Sequence, residues 1–397
     1  MRPLASRMSV MSGEGALTIF ARAKELERSG RSIIHLELGE PDFHPAKPVN
    51  DALKQAIDEG KDRYCPVVGL PALREALAVY LRETRNLNIP PQNIVIAPGC
   101  KIALFMAMMA LIDPGDEVLY PDPGFPGYAS ITLGLGGIPV PFLLSGKNHL
   151  QPDPKEIAAK ITSRTKVLIT NSPGNPTGTV YTDEVQRQLA ELAVKHDLLV
   201  LSDEIYARII YGGSYVSMMS YPGMEERTLL IDGFSKSFAM TGWRLGYATA
   251  PARIVPALDL LAVNTYTCVA EFTQYGAIEA LRDREGATPR MVGEFAKRRE
   301  LFVRDLNRVP GFRCDPPEGA FYAWVDISEA GLSAEEICRI MLEEAGVAAI
   351  PGAAFGPGGA DYVRFSFASS TAILKEAVER ILRVSSAWQG TVAGLRE

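Results

Sequence analysis

The sequence is poor in the residues and runs that most often announce a function. Its 397 residues include four histidines (His35, His44, His149 and His196), too scattered to share a metal ion. The five cysteines (Cys65, Cys100, Cys268, Cys314 and Cys338) form no Cys-x-x-Cys pair. An odd, scattered set fits a reducing cytoplasm rather than a disulfide framework. No block of like charges occurs, and a net charge of −6 argues against nucleic acid or an anionic membrane as the main partner. The longest apolar run, residues 102–112, is too short to span a bilayer and stops at Asp113-Pro-Gly. The N-terminus lacks the continuous apolar stretch of a signal peptide. Gly134-Leu-Gly136-Gly137 precedes a strand instead of following one, so it reads as a plain turn and not as a dinucleotide fingerprint; the Walker A spacing is absent too. There is no internal repeat, linker or low-complexity segment. These absences leave a cytoplasmic globular chain without a metal site, long enough for two domains.

With 47% hydrophobic and 22% charged residues, what remains is rhythm. From about residue 93, seven short apolar segments (93–98, 116–121, 137–142, 166–171, 198–203, 228–233 and 245–250) alternate with helical patterns such as 101–111 and 183–195. Near-continuous apolar strands between helices predict an α/β fold with a mostly parallel seven-stranded sheet flanked by helices. Ahead of it lie a helix at 17–28, a strand-like segment at 33–38, the turn Gly39-Glu-Pro-Asp42 and helices at 48–59 and 71–85. After it come helices at 253–263, 272–281 and 291–308. The α+β pattern of 319–325, 333–344, 362–367 and 371–384 suits a smaller second domain. The expected division is a large domain over 41–288 and a small α+β domain from both termini, 1–40 with 289–397.

The polar clusters fall where such a sheet binds ligands, beyond the carboxyl ends of its strands. Gly99-Cys100-Lys101 turns a strand into a helix, either an ordinary tight turn or a set of backbone N–H groups for a phosphate. Asp203 ends a strand, as a helix cap or as the partner of a protonated ring nitrogen; Tyr206 follows three residues later. Asn175 sits in the rigid turn Asn171-Ser-Pro-Gly-Asn-Pro-Thr-Gly, and Phe125 follows Pro-Gly, as core or as a stacking ring. Residues 232–246, DGFSKSFAMTGWRLG, present Lys236 beside Ser235, either solvated or desolvated into a nucleophile, with Arg244 eight residues on as an anion holder. Arg364 lies in the strand VRFSFA, where it either snorkels to water or forks onto a carboxylate. Together these supply what pyridoxal 5′-phosphate (PLP) and an amino acid substrate require.

In LGEPDF, YCPVVGLPALREAL, NSPGNPTG, SDEIY, SKSFAMTGWRLGY and VRFSFA, taken in this order and spacing, the chain resembles fold-type I PLP enzymes. Among these it is most similar to the class I aminotransferases, and closest to bacterial aspartate aminotransferases. The resemblance implies that Lys236 forms the Schiff base with the cofactor and shuttles the proton between Cα and C4′. It implies that Asp203 pairs with the ring nitrogen, that Tyr206 and Asn175 bond the ring oxygen, and that Phe125 stacks on the ring. Arg244, Ser235 and the backbone of Gly99, Cys100 and Lys101 would hold the phosphate. Arg364, with Asn175 and Gly39, would take the substrate α-carboxylate. Tyr64 would reach the neighbouring subunit's phosphate, which makes the functional unit a homodimer with shared sites. The chain departs from many relatives at Gly233, where they have Ser, and from aspartate-type enzymes at Phe125, where they usually have Trp.

The implied activity is ping-pong amino transfer between an L-amino acid and a 2-oxo acid. In aspartate aminotransferases with a Gly-Gly-Lys turn, the lysine reaches the distal carboxylate. Lys101 matches it, with Cys100 replacing the second Gly, which favours aspartate or glutamate with 2-oxoglutarate as acceptor. Glu14, where those relatives place small hydroxyl residues, would repel a second carboxylate, pair with Lys101 or face water. Alanine, aromatic, methionine or specialised substrates and a C–S lyase remain alternatives. A PLP-sensing transcription factor would need a DNA-binding helix-turn-helix, for which no room is expected before residue 33.

Overall fold

The computed structural model describes residues 2–283, 286–386 and 388. After a two-residue strand β1 (Ile34–His35), seven strands form one sheet: β2 (Ile94–Ala97), β3 (Glu117–Asp122), β4 (Ile138–Leu143), β5 (Thr165–Asn171), β6 (Leu199–Asp203), β7 (Thr228–Gly233) and β8 (Gly246–Thr249). Their spatial order is β2-β8-β7-β6-β5-β3-β4. Successive residues face opposite sides, so Val167 and Ile169 of β5 enter one apolar core with Leu104 and Met108. Leu168 between them enters another with Phe142 and Leu189. Both faces are covered, which is why the strands read as unbroken apolar runs.

All seven predicted strands are present and the sheet is mostly parallel. The exception is β8, antiparallel to both β7 and β2. The reason is the connection: residues 234–245 contain no α-helix, and a parallel return normally needs a helical crossover.

A separate core lies around three antiparallel strands, β9 (Tyr322–Asp326), β11 (Ile350–Pro351) and β12 (Tyr362–Ser366), and includes Phe295, Phe302, Phe321 and Phe365. The intervening β10 (Val347–Ala348) pairs in parallel with β1, so the N-terminal segment is tied to the C-terminal part. The strand expected at 33–38 is shorter because its backbone partners change beyond His35. Leu36 donates to Ala348 and accepts from Ser366, and the Glu37 carbonyl accepts from Arg364. Helix Pro71–Arg85 starts at its proline and stops at Asn86, whose φ of 55° is left-handed.

Candidate active site

The carboxyl ends of β5, β6 and β7 lie in register, with Asn171 opposite Asp203 and Asp203 opposite Ile231. They open onto a cleft of about 280 Å³ whose lining includes Gly39, Cys100, Lys101, Phe125, Asn175, Asp203, Tyr206, Ser235, Lys236, Arg244 and Arg364. Residues up to 325 positions apart in sequence thus meet at one place: Cys100, Lys101, Phe125, Asn175, Asp203, Tyr206, Ser235 and Lys236 lie at or follow strand ends of the large sheet, as the strand-end argument expects, while Gly39 and Arg364 come from outside it. Gly99 lies directly beneath Arg244, while Tyr64 is 87% exposed and stands outside the lining.

At one end of the cleft, Gly99 (φ 88°) caps the helix Cys100–Leu111. A Cβ on Gly99 would lie 2.4 Å from the Arg244 guanidinium, so only glycine lets that group come down over the helix N-terminus. Arg244, itself left-handed at φ 53°, is fixed by donating to the Thr241 carbonyl at 3.0 Å. Exposed N–H groups, a guanidinium and the Ser235 hydroxyl therefore converge where an anion would sit. At Gly233, where the family resemblance leads one to expect a serine, a Cβ would fall 2.6 Å from the Cys100 Sγ and 2.8 Å from the Gly246 Cα. Two departures that look separate in the sequence share one space.

In the middle, Asp203 aims its carboxylate into the cleft. Burial pushes its carboxyl up to about 6, against hydrogen bonds from the Tyr128 hydroxyl (2.7 Å) and the Ile205 N–H (3.3 Å). A buried carboxylate of this kind suits a cationic partner such as a protonated ring nitrogen. Phe125 is half-buried, edge-on to Tyr128 at 5.5 Å between ring centroids. Lys236, half-buried, donates through Nζ to the Gly39 carbonyl. The Tyr206 and Tyr322 hydroxyls are 2.6 Å apart.

At the far end Arg364 is 3% exposed, so the snorkelling alternative is wrong. Its guanidinium donates to Asn175 Oδ1 at 2.8 Å and to the Glu37 carbonyl, and packs over the rings of Tyr322 (4.4 Å) and Phe355 (4.8 Å). Its Nε has no protein partner, an open donor for an incoming carboxylate.

Sequence reasoning missed four features. Tyr128, one turn beyond Phe125, had a signal in that spacing. Asn171 donates to the Asp203 carbonyl (3.0 Å) and accepts from the Asn175 N–H (2.9 Å), fixing two site residues at once. Tyr322 presses so closely on Gly39 that a Cβ there would lie 1.9 Å from its hydroxyl; nothing in its strand pattern marked it. Beneath the cleft Arg85 is wedged between Glu204 (2.9 Å) and Asp232, the neighbours in sequence of Asp203 and Gly233. Ser202, Ser217 and Tyr247 complete the bonds of these carboxylates.

The strand ends of the α/β sheet bring a lysine, a buried aspartate and an anion cradle into one cleft, facing an arginine with a free donor from β12, an arrangement that suits a carboxylate substrate beside a phosphorylated ring. Comparison with known proteins agrees. The family profile described as aminotransferase class I and II matches residues 31–381, and the chain belongs to this family; it is a PLP-dependent aminotransferase. It is 40% identical over 358 residues to an aspartate aminotransferase of Pyrococcus abyssi, covering 89% of this chain and 92% of that one. The solved aspartate aminotransferase of Thermus thermophilus with maleate superposes with a TM-score of 0.93 at 37% identity, over 97% of this chain and all of that one. An aromatic aminotransferase of Pyrococcus horikoshii superposes with a TM-score of 0.88 at 37% identity, over 92% and 99% of the two chains.

Proposed function

We propose that this enzyme moves an amino group between aspartate or glutamate and a 2-oxo acid, with 2-oxoglutarate as acceptor, in a ping-pong cycle. The observation that carries this reading is the Lys101 ammonium, which lines the same cleft as Lys236 and Arg364 and offers a second cationic group to a second carboxylate. The Thermus aspartate aminotransferase solved with maleate, a dicarboxylate, supports the reading by analogy.

The residues fit PLP: the Gly99–Arg244 cradle suits its phosphate, and Asp203, its carboxyl raised to about 6, suits its ring nitrogen. When bound, this cofactor supplies a carbonyl for the amine and a protonated ring that withdraws electrons from the substrate Cα. The chain's own groups do the rest. Arg244, Ser235 and the backbone at Gly99, Cys100 and Lys101 would hold the phosphate, and Phe125 would pack against the ring. Tyr206 and Asn175 would donate to the ring oxygen, and Tyr64 would complete a neighbouring site in a homodimer. Arg364 takes the α-carboxylate, with Asn175 and Gly39 beside it, and so fixes the Cα within reach of Lys236. The Lys236 Nζ, which donates to the Gly39 carbonyl in this structure, anchors the cofactor, then takes and returns the Cα proton. The two-domain division at residues 41–288 and a cytoplasmic setting belong to the same reading. Among the described residues no helix is long and apolar enough to cross a membrane.

The test is steady-state transamination with aspartate and 2-oxoglutarate. Lys101→Ala should lower kcat/KM for aspartate by about tenfold or more, the loss of a charge-assisted hydrogen bond of roughly 1.5–3 kcal/mol, while alanine turnover changes little. An unchanged kcat/KM for aspartate would remove acidic specificity from the proposal. A second reading, an amino acid with an uncharged side chain as donor, is favoured by one observation: Lys101 is already paired with Glu14.

A further inference from the structure

Lys101 occupies an electrostatically awkward place. It is the second residue of the helix Cys100–Leu111, in the first turn, where the helix dipole favours anions and disfavours a cation. Its ammonium lies 5.7 Å from the Phe125 ring centroid and its side chain is 53% exposed. In this position it requires an anion, and the structure supplies one from a distant part of the chain. Glu14 stands at the N-cap position of the helix Gly15–Arg28 with extended backbone (φ −85°, ψ 126°). Its side chain makes no bond to that helix, although its own N-terminus would reward one. It crosses instead to Lys101.

The pair also lies where it bears on a substrate. Glu14 lines the main cleft and a small adjoining recess formed by Ala16, Phe125, Ala354, Phe355 and Arg364. Burial lowers the pKa of the Arg364 guanidinium, and the charge of Glu14 is one of the smaller influences that oppose this. A substrate with its α-carboxylate on Arg364 and its Cα at Lys236 therefore directs its side chain toward Glu14 and Lys101. A closed pair presents no net charge, and the surrounding walls of Ala16, Leu17, Phe125 and Phe355 suit an uncharged side chain. A distal carboxylate, by contrast, reaches Lys101 only by displacing Glu14. The pair is half in solvent, so opening it costs only about what a surface ion pair is worth.

We propose that Glu14 is an internal stand-in for the distal carboxylate of a dicarboxylic substrate. It closes on Lys101 before a substrate enters or when the cleft holds an uncharged side chain, and it yields when a dicarboxylate binds. One cleft can then admit two substrate classes: a dicarboxylic acid with the pair open, and an uncharged amino acid with the pair closed. The inference rests on the reading of this cleft as an amino acid site.

The test compares two non-reacting acids, succinate and butyrate, by calorimetric titration of the wild-type holoenzyme and of Glu14→Gln, with thermal melts to verify that the variant is folded. Glutamine leaves Lys101 free. The expected result is succinate bound about two- to fivefold more tightly in the variant, the worth of a surface ion pair, with butyrate unchanged. Unchanged succinate affinity would make Glu14 a bystander, and weaker succinate binding would make it a prop for Lys101 instead of a competitor; either result overturns the proposal. Because neither acid reacts, the comparison is read whether or not aspartate is turned over, and failure of the amino-transfer reading would show separately as absent turnover.

Discussion

At the floor of the cleft Arg85 lies between Glu204 and Asp232 with side-chain exposures of 1%, 0% and 4%; at its mouth Lys101 and Glu14 meet at 53% and 28%. Both are ion pairs, but the media differ. Charges removed from water and paired with one another cannot lose a partner cheaply, whereas charges half in water exchange partners at little cost. The floor can therefore hold a fixed geometry, and the mouth can adapt to what enters. Asp203 and Lys236, which must keep their positions, follow directly from the strand ends that the buried cluster ties together. The groups facing the variable side chain of a substrate come from the N-terminal segment and the helix Cys100–Leu111.

The sharpest way to break this contrast is to remove the floor's cation. Arg85→Met leaves two buried carboxylates without a counter-charge and should cost about 3–5 kcal/mol of stability, read by denaturant unfolding. Adding Glu204→Gln and Asp232→Asn should recover much of the loss. A small loss for Arg85→Met would mean that the floor is no more demanding than the mouth, where Glu14→Gln should leave the melt unchanged.

A smaller effect sits between the two regions, at Asp203. Its carboxyl, raised to about 6 by burial, must be ionised to pair with a ring N–H. PLP affinity should therefore fall as pH drops through about 6. In the apo protein the sign is the reverse for stability: a carboxyl raised above its unfolded value near 3.9 contributes stability that is fully present below that value and lost as pH rises through about 6. Tyr128→Phe removes the hydroxyl that steadies the charged form, so the low-pH limb of PLP binding should move up by about one pH unit. A limb that stays in place would show that Tyr128 is packing only.

The strand-end residues above the floor were legible in the sequence for a physical reason. Buried parallel strands need unbroken apolar runs, and whatever polar residues end them must converge on one crevice. Lys236, Asp203, Asn175 and Arg244 could be read in this way. Arg85 could not, because a charged residue inside an amphipathic helix reads as solvated until its burial is seen. Tyr322 and Phe355 were hidden because they act across the β9–β12 region, whose approach to the large sheet no local pattern encodes. Glu14 could be marked as unusual, but whether it faced water or Lys101 depends on a contact between residues 87 positions apart. Gly233 and Cys100 each looked like a departure; only their shared space makes them one feature.

The central claim is that Lys236 anchors PLP and moves the Cα proton, and absorbance of the purified protein with added PLP tests it most directly. Wild type should show a visible band that survives desalting and bleaches on addition of an amino acid donor. Lys236→Ala, still folded, should lose the stable band and at least about a thousandfold of transamination. A Lys236→Ala protein that keeps both, or a wild type that shows no band with PLP, would contradict the account.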